Sequence, residues 1–163
     1  MFNKSEDIKR ITNAKQLNDL IDVIEQSIKN EKFWLPITQT SRNHFFDEKW
    51  TKFYGSYQEG KLIAAAGMFF NKNEYGESAK AIGLKGNIVE VGRVMCLPQY
   101  RNNGITTRVV EKAINSTQAD NFIATVHPQN EPSYKLLKRL GFEKRGYIVK
   151  NGYERYILVR KGN

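Results

Sequence analysis

Cysteine occurs once in the 163 residues, at Cys96, so no internal disulfide can staple the chain. A lone thiol in an apolar stretch fits a reducing compartment, and a cytoplasmic location is expected. Histidine is nearly as scarce. His44 has no visible metal partner and no His is paired with Cys96, so the sequence offers neither a metal motif nor thiolate catalysis. Long hydrophobic runs are missing too: Gly, Asn and charged residues interrupt every apolar stretch well short of the ~20 residues of a membrane span, and no membrane partner is expected. The opening residues, MFNKSEDIKR, lack the apolar centre of a secretory signal. Neither an internal repeat nor a linker is visible. The length points to one domain over residues 1–163, able to bury roughly 70% of its unfolded surface without a staple or a metal.

What the sequence has in excess is positive charge. The net charge is +9, spread along the chain rather than gathered in a tail. Such an excess suits a plain solvated surface, and equally attraction to an acidic partner: a nucleotide coenzyme, an acidic protein or nucleic acid. Composition does not choose among them.

Hydrophobic periodicity lays out the elements in order. Ile8 to Ile11 alternates as a short strand. Thr12 or Asn13 is placed to cap a helix in which Leu17, Leu20, Ile21, Ile24 and Ile28 recur at helical spacing. Phe33, Trp34 and Leu35 follow, and Pro36 halts regular structure. Thr38 to Lys52 is loosely helical, its Phe45, Phe46 and Trp50 suited to core packing or to a pocket wall. Phe53 to Gln58 and Leu62 to Phe70 form a predicted hairpin about Glu59-Gly60. The polar stretch from Asn71 to Asn87 reads as a long loop, either a mobile excursion or a recognition element. Ile88 to Leu97 is the central strand, joined through a helix to a parallel partner at Phe122 to Val126. Asn130 caps a further helix, with Pro132 near its start, Leu136, Leu137 and Leu140 inward and Gly141 as its left-handed stop. Tyr147 to Val149 and Tyr153 to Val159 close the chain as a hairpin about Asn151-Gly152.

The densest chemistry lies between Glu90 and Val110, in EVGRVMCLPQYRNNGITTRVV. A strand turns at Pro98 into a basic loop and runs on into a helix whose Ile105, Val109, Val110, Ala113 and Ile114 share one face. The first amides of a helix lack intrahelical acceptors and sit at the positive end of its dipole. A strand delivering a loop into such a terminus makes an anion site, with phosphate as the expected guest. Gly104 allows close backbone approach there.

Arg101-Asn102-Asn103-Gly104-Ile105-Thr106 resembles the (Gln/Arg)-x-x-Gly-x-(Gly/Ala) loop with which the GNAT superfamily of N-acetyltransferases grips the pyrophosphate of acetyl-CoA. Asn130-Glu131-Pro132-Ser133 through Leu140-Gly141-Phe142 resembles that family's Asn-x-x-(Ala/Ser)...Gly-Phe helix. The likeness is close over about the last half of the chain and extends to the first half by element order alone. It implies a layered α/β fold, a twisted mixed sheet of about six to seven strands with a parallel splayed pair, flanked by about four helices. It also implies acetyl-CoA as co-substrate, a primary amine as acceptor and, as in many relatives, a homodimer. Asn102, Asn103, Gly104, Ile105 and Thr106 would turn backbone amides to the pyrophosphate, with charge added by Arg101 and by Arg108 or Lys112. The backbones of Met95, Cys96 and Leu97, with Asn130, would hold the pantetheine arm. Thr106 departs from the family's Gly or Ala, so its side chain must turn away or bind a phosphate itself. Cys96 reads as a small buried hydrophobe rather than a nucleophile.

A lysine-like amine of pKa ~10.4 lies ~4 kcal/mol from its neutral, attacking form near neutral pH, so transfer calls for a base. Glu90 stands eleven positions before Arg101, the spacing at which many histone-type relatives place a strand-borne base. Among Val89, Val91 and Val94 its carboxylate is partly desolvated, which raises its readiness to take a proton. Its alternative role is an ion pair with Arg93 or another cation. Where many relatives carry a tyrosine acid, seven positions after the Asn, this chain has Leu137. Protonation of the departing thiolate then falls to Tyr134, to Ser133 or to water. Two other readings stay open: a GNAT-like enzyme directed at nucleic acid, which the net charge permits, and a CoA-binding module without transfer, for which Leu137 speaks.

Overall fold

The computed structural model describes residues 7–28, 37–150 and 152–163. Its elements run β1 (Asp7–Ile11), α1 (Ala14–Ile28), α2 (Gln39–Phe45), β2 (Thr51–Gln58), β3 (Lys61–Phe69), α3 (Lys72–Ala81), β4 (Ile88–Cys96), a short 3-10 turn (Pro98–Tyr100), α4 (Ile105–Asn115), β5 (Asn121–Val126), α5 (Glu131–Arg139), β6 (Glu143–Lys150) and β7 (Tyr153–Lys161). The strands make one seven-stranded sheet in the order β1-β2-β3-β4-β5-β7-β6. Neighbours are antiparallel except β4 and β5, whose parallel ladder pairs Ile88, Val89 and Glu90 with Asn121, Phe122 and Ile123.

Side-chain alternation divides the core between the two faces of the sheet. Val89, Val91, Phe122 and Ala124 meet α4 through Val109, Val110, Ala113 and Ile114, and α5 through Leu136 and Leu137. On the other face α1 packs Leu20, Ile21 and Ile24 against Phe53, Leu62 and Met95. Farther along that face, α3 lays Tyr75 and Ala79 on Ile88, Ile123, Ile157 and Val159. Phe122 and Phe142 are wholly buried; truncating a phenyl ring at such a site costs about 3–5 kcal/mol.

Caps follow the sequence closely. Asn13, of the two candidates, caps α1: its Oδ1 accepts from the Gln16 N–H at 2.9 Å, while Gln16 Oε1 accepts from the Thr12 N–H at 3.1 Å. Gly141, at φ 85°, supplies the left-handed stop after α5.

The stretch from Asn71 to Asn87 corrects the expectation of a long loop. Ten of its residues form α3. Tyr75 and Ala79 lie four apart and bury one narrow stripe, while Gly76 and the charges around them hid the period. Thr38 to Lys52 is helical only over Gln39–Phe45, beyond which tight turns about Asp47 bring the chain into β2. Phe45 is core, edge-on to Phe53 with centroids 4.9 Å apart, whereas Phe46 is exposed. Phe33, Trp34, Leu35 and Pro36 lie outside the described residues, as does Asn151 of the final turn. The closing strands β6 and β7 are longer than predicted. Among the described residues no helix is long and apolar enough to cross a membrane.

Candidate active site

The parallel ladder between β4 and β5 ends at Glu90 and Ile123, and the strands then part. Two cavities occupy the opening. One, of about 460 Å³, lies between the loop after β4 and the start of α5. The other, of about 170 Å³, lies between the diverging strands and reaches Glu90. Val94, Asn130, Ser133 and Leu136 line both, so the two form one cleft through the sheet.

The loop is built to expose amides. Asn102 and Gly104 both take positive φ, 65° and 71°. Asn103 braces the turn, its Nδ2 donating to the carbonyls of Tyr100 at 3.2 Å and Arg101 at 3.1 Å. Gly104 is the N-cap of α4 and no side chain caps that helix. The contrast with α5 is informative. There Asn130 Oδ1 accepts from the Ser133 N–H at 3.4 Å and Pro132 has no N–H to offer. Of the two helix starts at the cleft, α5 has a side-chain cap and α4 has none, so the first amides of α4 are suited to an external anion. Ile105 and Thr106, the first two residues of α4, line the larger cavity.

The basic residues divide their work. Arg101 donates from Nε to the Cys96 carbonyl at 3.2 Å and from Nη2 to the Ser27 carbonyl at 3.5 Å, tying the loop to the ends of β4 and α1. Arg108 folds over the loop, its Nη1 donating to the Asn103 carbonyl at 3.1 Å. A Cβ placed on Gly104 would stand 3.0 Å from that same nitrogen. Positive charge therefore lies directly beside the open amides.

Met95, Cys96 and Leu97 are all buried. Leu97 corrects one expectation: its N–H donates to Ile63 at 2.9 Å and its carbonyl accepts from Tyr100 at 2.9 Å, so its backbone is engaged within the protein. Strand alternation turns the neighbouring amide, that of Cys96, to the opposite side, toward the cleft. Met95 is paired with Ala65 and Cys96 with Ala64.

Glu90 is half-buried and shares its face of the sheet with Ile88. Its carboxylate lies within electrostatic reach of two groups. Burial, and then the Glu90 charge, raises the pKa of the Tyr75 phenol on α3. Burial lowers the pKa of the Arg155 guanidinium on β7, and Glu90 opposes that shift. Arg155 is thus one cation on which the Glu90 charge acts, and Arg93 lines the same cavity. The sequence reading missed both Tyr75 and Arg155. Arg155 carried a signal, because two-residue alternation from Ile157 and Val159 places it on an inward face.

Among the thiolate candidates, Ser133 lines both cavities. Tyr134 packs edge-on against Tyr156 at 5.9 Å between centroids, and it lines neither cavity. Leu137, at the position where many relatives carry a tyrosine acid, is buried and borders the cavity of Glu90. Among the described residues no cluster of His, Cys, Asp and Glu could hold a metal ion.

A seven-stranded mixed sheet with a splayed parallel pair, flanked by helices, is the fold of the GNAT class of acyltransferase. Residues 18–142 match the model of the acetyltransferase (GNAT) family, and the chain belongs to that family. In sequence it is similar to the uncharacterized N-acetyltransferase YnaD of Bacillus subtilis strain 168, with 29% identity over 70 residues, 40% of this chain and 37% of that protein's length. In fold it is similar to yncA of Salmonella typhimurium, solved with its cofactor acetyl-CoA (TM-score 0.76, 12% identity, 98% of this chain and 95% of the other). It is similar also to NAA60 of Arabidopsis thaliana in complex with acetyl-CoA (TM-score 0.71, 16% identity, 96% and 98%).

Proposed function

We propose that this protein transfers the acetyl group of acetyl-CoA directly to a primary amine. The observation that carries the reading is the single cleft in which the open start of α4 and the Glu90 carboxylate meet, joined through Val94, Asn130, Ser133 and Leu136. An αL glycine, an uncapped helix and an adjacent Arg108 suit a diphosphate in shape and charge.

In this reading the amides of Asn102 through Thr106 bind the pyrophosphate. Arg101 holds the loop in register and Arg108 adds charge. The Cys96 amide and the Asn130 side chain orient the pantetheine arm, whereas the backbones of Met95 and Leu97, which alternate with it, face β3. The acceptor enters as an ammonium ion. Glu90, directly or through water, takes one proton, and the freed nitrogen attacks the thioester carbonyl. The N–C bond forms, the C–S bond breaks and the electron pair leaves with sulfur. Ser133 donates a hydrogen bond near that sulfur and water returns a proton to it. The products are the acetamide, free CoA thiol and one proton. Tyr134 is better suited to packing than to protonating the thiolate.

The reading is tested by mixing the protein with acetyl-CoA and a panel of amines and following free thiol. Amine-dependent release that falls in Glu90→Gln supports it. The opposing reading, a CoA-binding module, rests on Leu137. It predicts a rise in melting temperature with CoA and no thiol release with any amine.

A further inference from the structure

Acetyl transfer as proposed gives no role to Arg93, Lys150 and Arg155. With Glu90 these cations line the cavity between β4 and β5, three positive charges to one negative among its described lining residues. Two features of the fold place them. Arg93 and Val94 together face Ala66, since Gly92 pairs with Gly67 and Met95 with Ala65. That is a β-bulge, and within it Arg93 adopts φ 49°, a conformation that L residues avoid. Bulges beside an opening re-aim side chains, and strain of this kind is held by its surroundings where function calls for it. Lys150 and Arg155 come from the last hairpin. The pairs Ile148–Arg155 and Lys150–Tyr153 put both on one face, the face that also carries Ile157. Arg155 is half-buried, and burial lowers its pKa, a cost that nearby anions offset.

We propose that the acceptor amine carries an acid group, a carboxylate or a phosphate monoester, drawn to the surplus of positive charge that Arg93, Lys150 and Arg155 hold over Glu90. This rests on reading the cleft as that of an acetyl-CoA-dependent transferase. Glu90 stands where the strands part and Lys150 at the end of β6, so an acceptor that reaches both carries amine and acid at opposite ends. The cavity's volume suits a molecule of amino-acid size. The same charges disfavour acceptors that are purely cationic, such as polyamines or lysine-rich peptides, because like charges repel them.

Calorimetric titration in the presence of CoA tests this with matched pairs. Glycine, β-alanine and glutamate are compared with their amides, and phosphoethanolamine with ethanolamine. The acid member of at least one pair binds roughly tenfold more tightly than its neutral counterpart, and the pair concerned tells carboxylate from phosphate. Arg93→Gly and Lys150→Gln each shrink that preference several-fold while CoA affinity and melting temperature hold. Arg93→Gly suits the purpose because glycine adopts φ 49° without strain. Equal binding within every pair, or a preference unmoved in both variants, overturns the proposal. Thiol release from acetyl-CoA, followed in parallel samples without free CoA, judges the parent reading separately: an acid amine that binds selectively while no amine of the panel releases thiol leaves the acid site standing and removes the transferase.

Discussion

Glu90 and Ile123 are the last Cα partners of the parallel ladder, and beyond them β4 and β5 diverge. The carboxylate therefore stands at the vertex of the cleft. It is fixed there by the sheet itself rather than by a loop.

Glu90→Gln keeps the side chain's shape and removes its capacity to take a proton. Steady-state kinetics near neutral pH should show kcat lowered about a hundredfold or more, with acetyl-CoA affinity changed less than about twofold. At higher pH, where the amine loses its proton unaided, the deficit should narrow. Unchanged turnover at neutral pH would remove Glu90 as the base.

Gly104→Ala puts a Cβ on a residue at φ 71°. The left-handed conformation costs an L residue about 1–2 kcal/mol, and in a chain of this size each 1 kcal/mol lowers the melting temperature by about 2–4 °C. Affinity for CoA should fall as well, since the added methyl group presses on Arg108 beside the amides. Thermal unfolding and CoA titration of one preparation check both effects.

Arg101 and Arg108 should separate under mutation. Arg101→Ala cuts the ties to the carbonyls of Cys96 and Ser27, so both melting temperature and CoA affinity decline. Arg108→Ala leaves those ties in place and removes an exposed charge. It should weaken CoA binding several-fold at low ionic strength, with a difference that shrinks as salt screens the interaction. Equal melting losses in the two variants would contradict this division of labour.

Much of this was legible in the sequence, and the failures have physical causes. The strand, loop and helix from Glu90 to Val110 announce themselves because apolar period, Pro98 and Gly104 all agree. Helix α3 was hidden because only Tyr75 and Ala79 mark its buried side, too few to outweigh Gly76 and the polar residues. Leu97 was misjudged because a sequence shows that a strand exists but not which of its amides face which neighbour. Of the cations around Glu90, Arg93 was visible from its neighbouring position, whereas Arg155 and Lys150 could not be brought to it from spacing. Arg155 and Lys150 lie on strands separated from β4 by β5, and only the sheet order brings them to one opening.

Tyr57 offers a probe far from the cleft. Burial, then the carboxylates of Asp19 and Asp7, pushes its phenol from 10.0 up to about 12. Between those values the unfolded chain gives up the phenolic proton while the folded chain keeps it. Stability should accordingly be intact below about pH 10 and fall as pH rises through that window. Among the described residues the buried hydroxyl has no hydrogen-bond partner. Tyr57→Phe should thus hold or raise the melting temperature at neutral pH, flatten the alkaline decline and leave acetyl transfer unchanged. A loss of stability at neutral pH would show that the hydroxyl is bonded.

Binding of the intact coenzyme tests the central claim most directly. Isothermal titration with acetyl-CoA should give saturable heat at one site per chain, weakened in Gly104→Ala. Coenzyme at a hundred times its dissociation constant should add about 2.7 kcal/mol of stability, seen as a higher melting temperature. Neither heat nor a melting shift with acetyl-CoA would contradict the account, because the amides at the start of α4 would then have no diphosphate to bind.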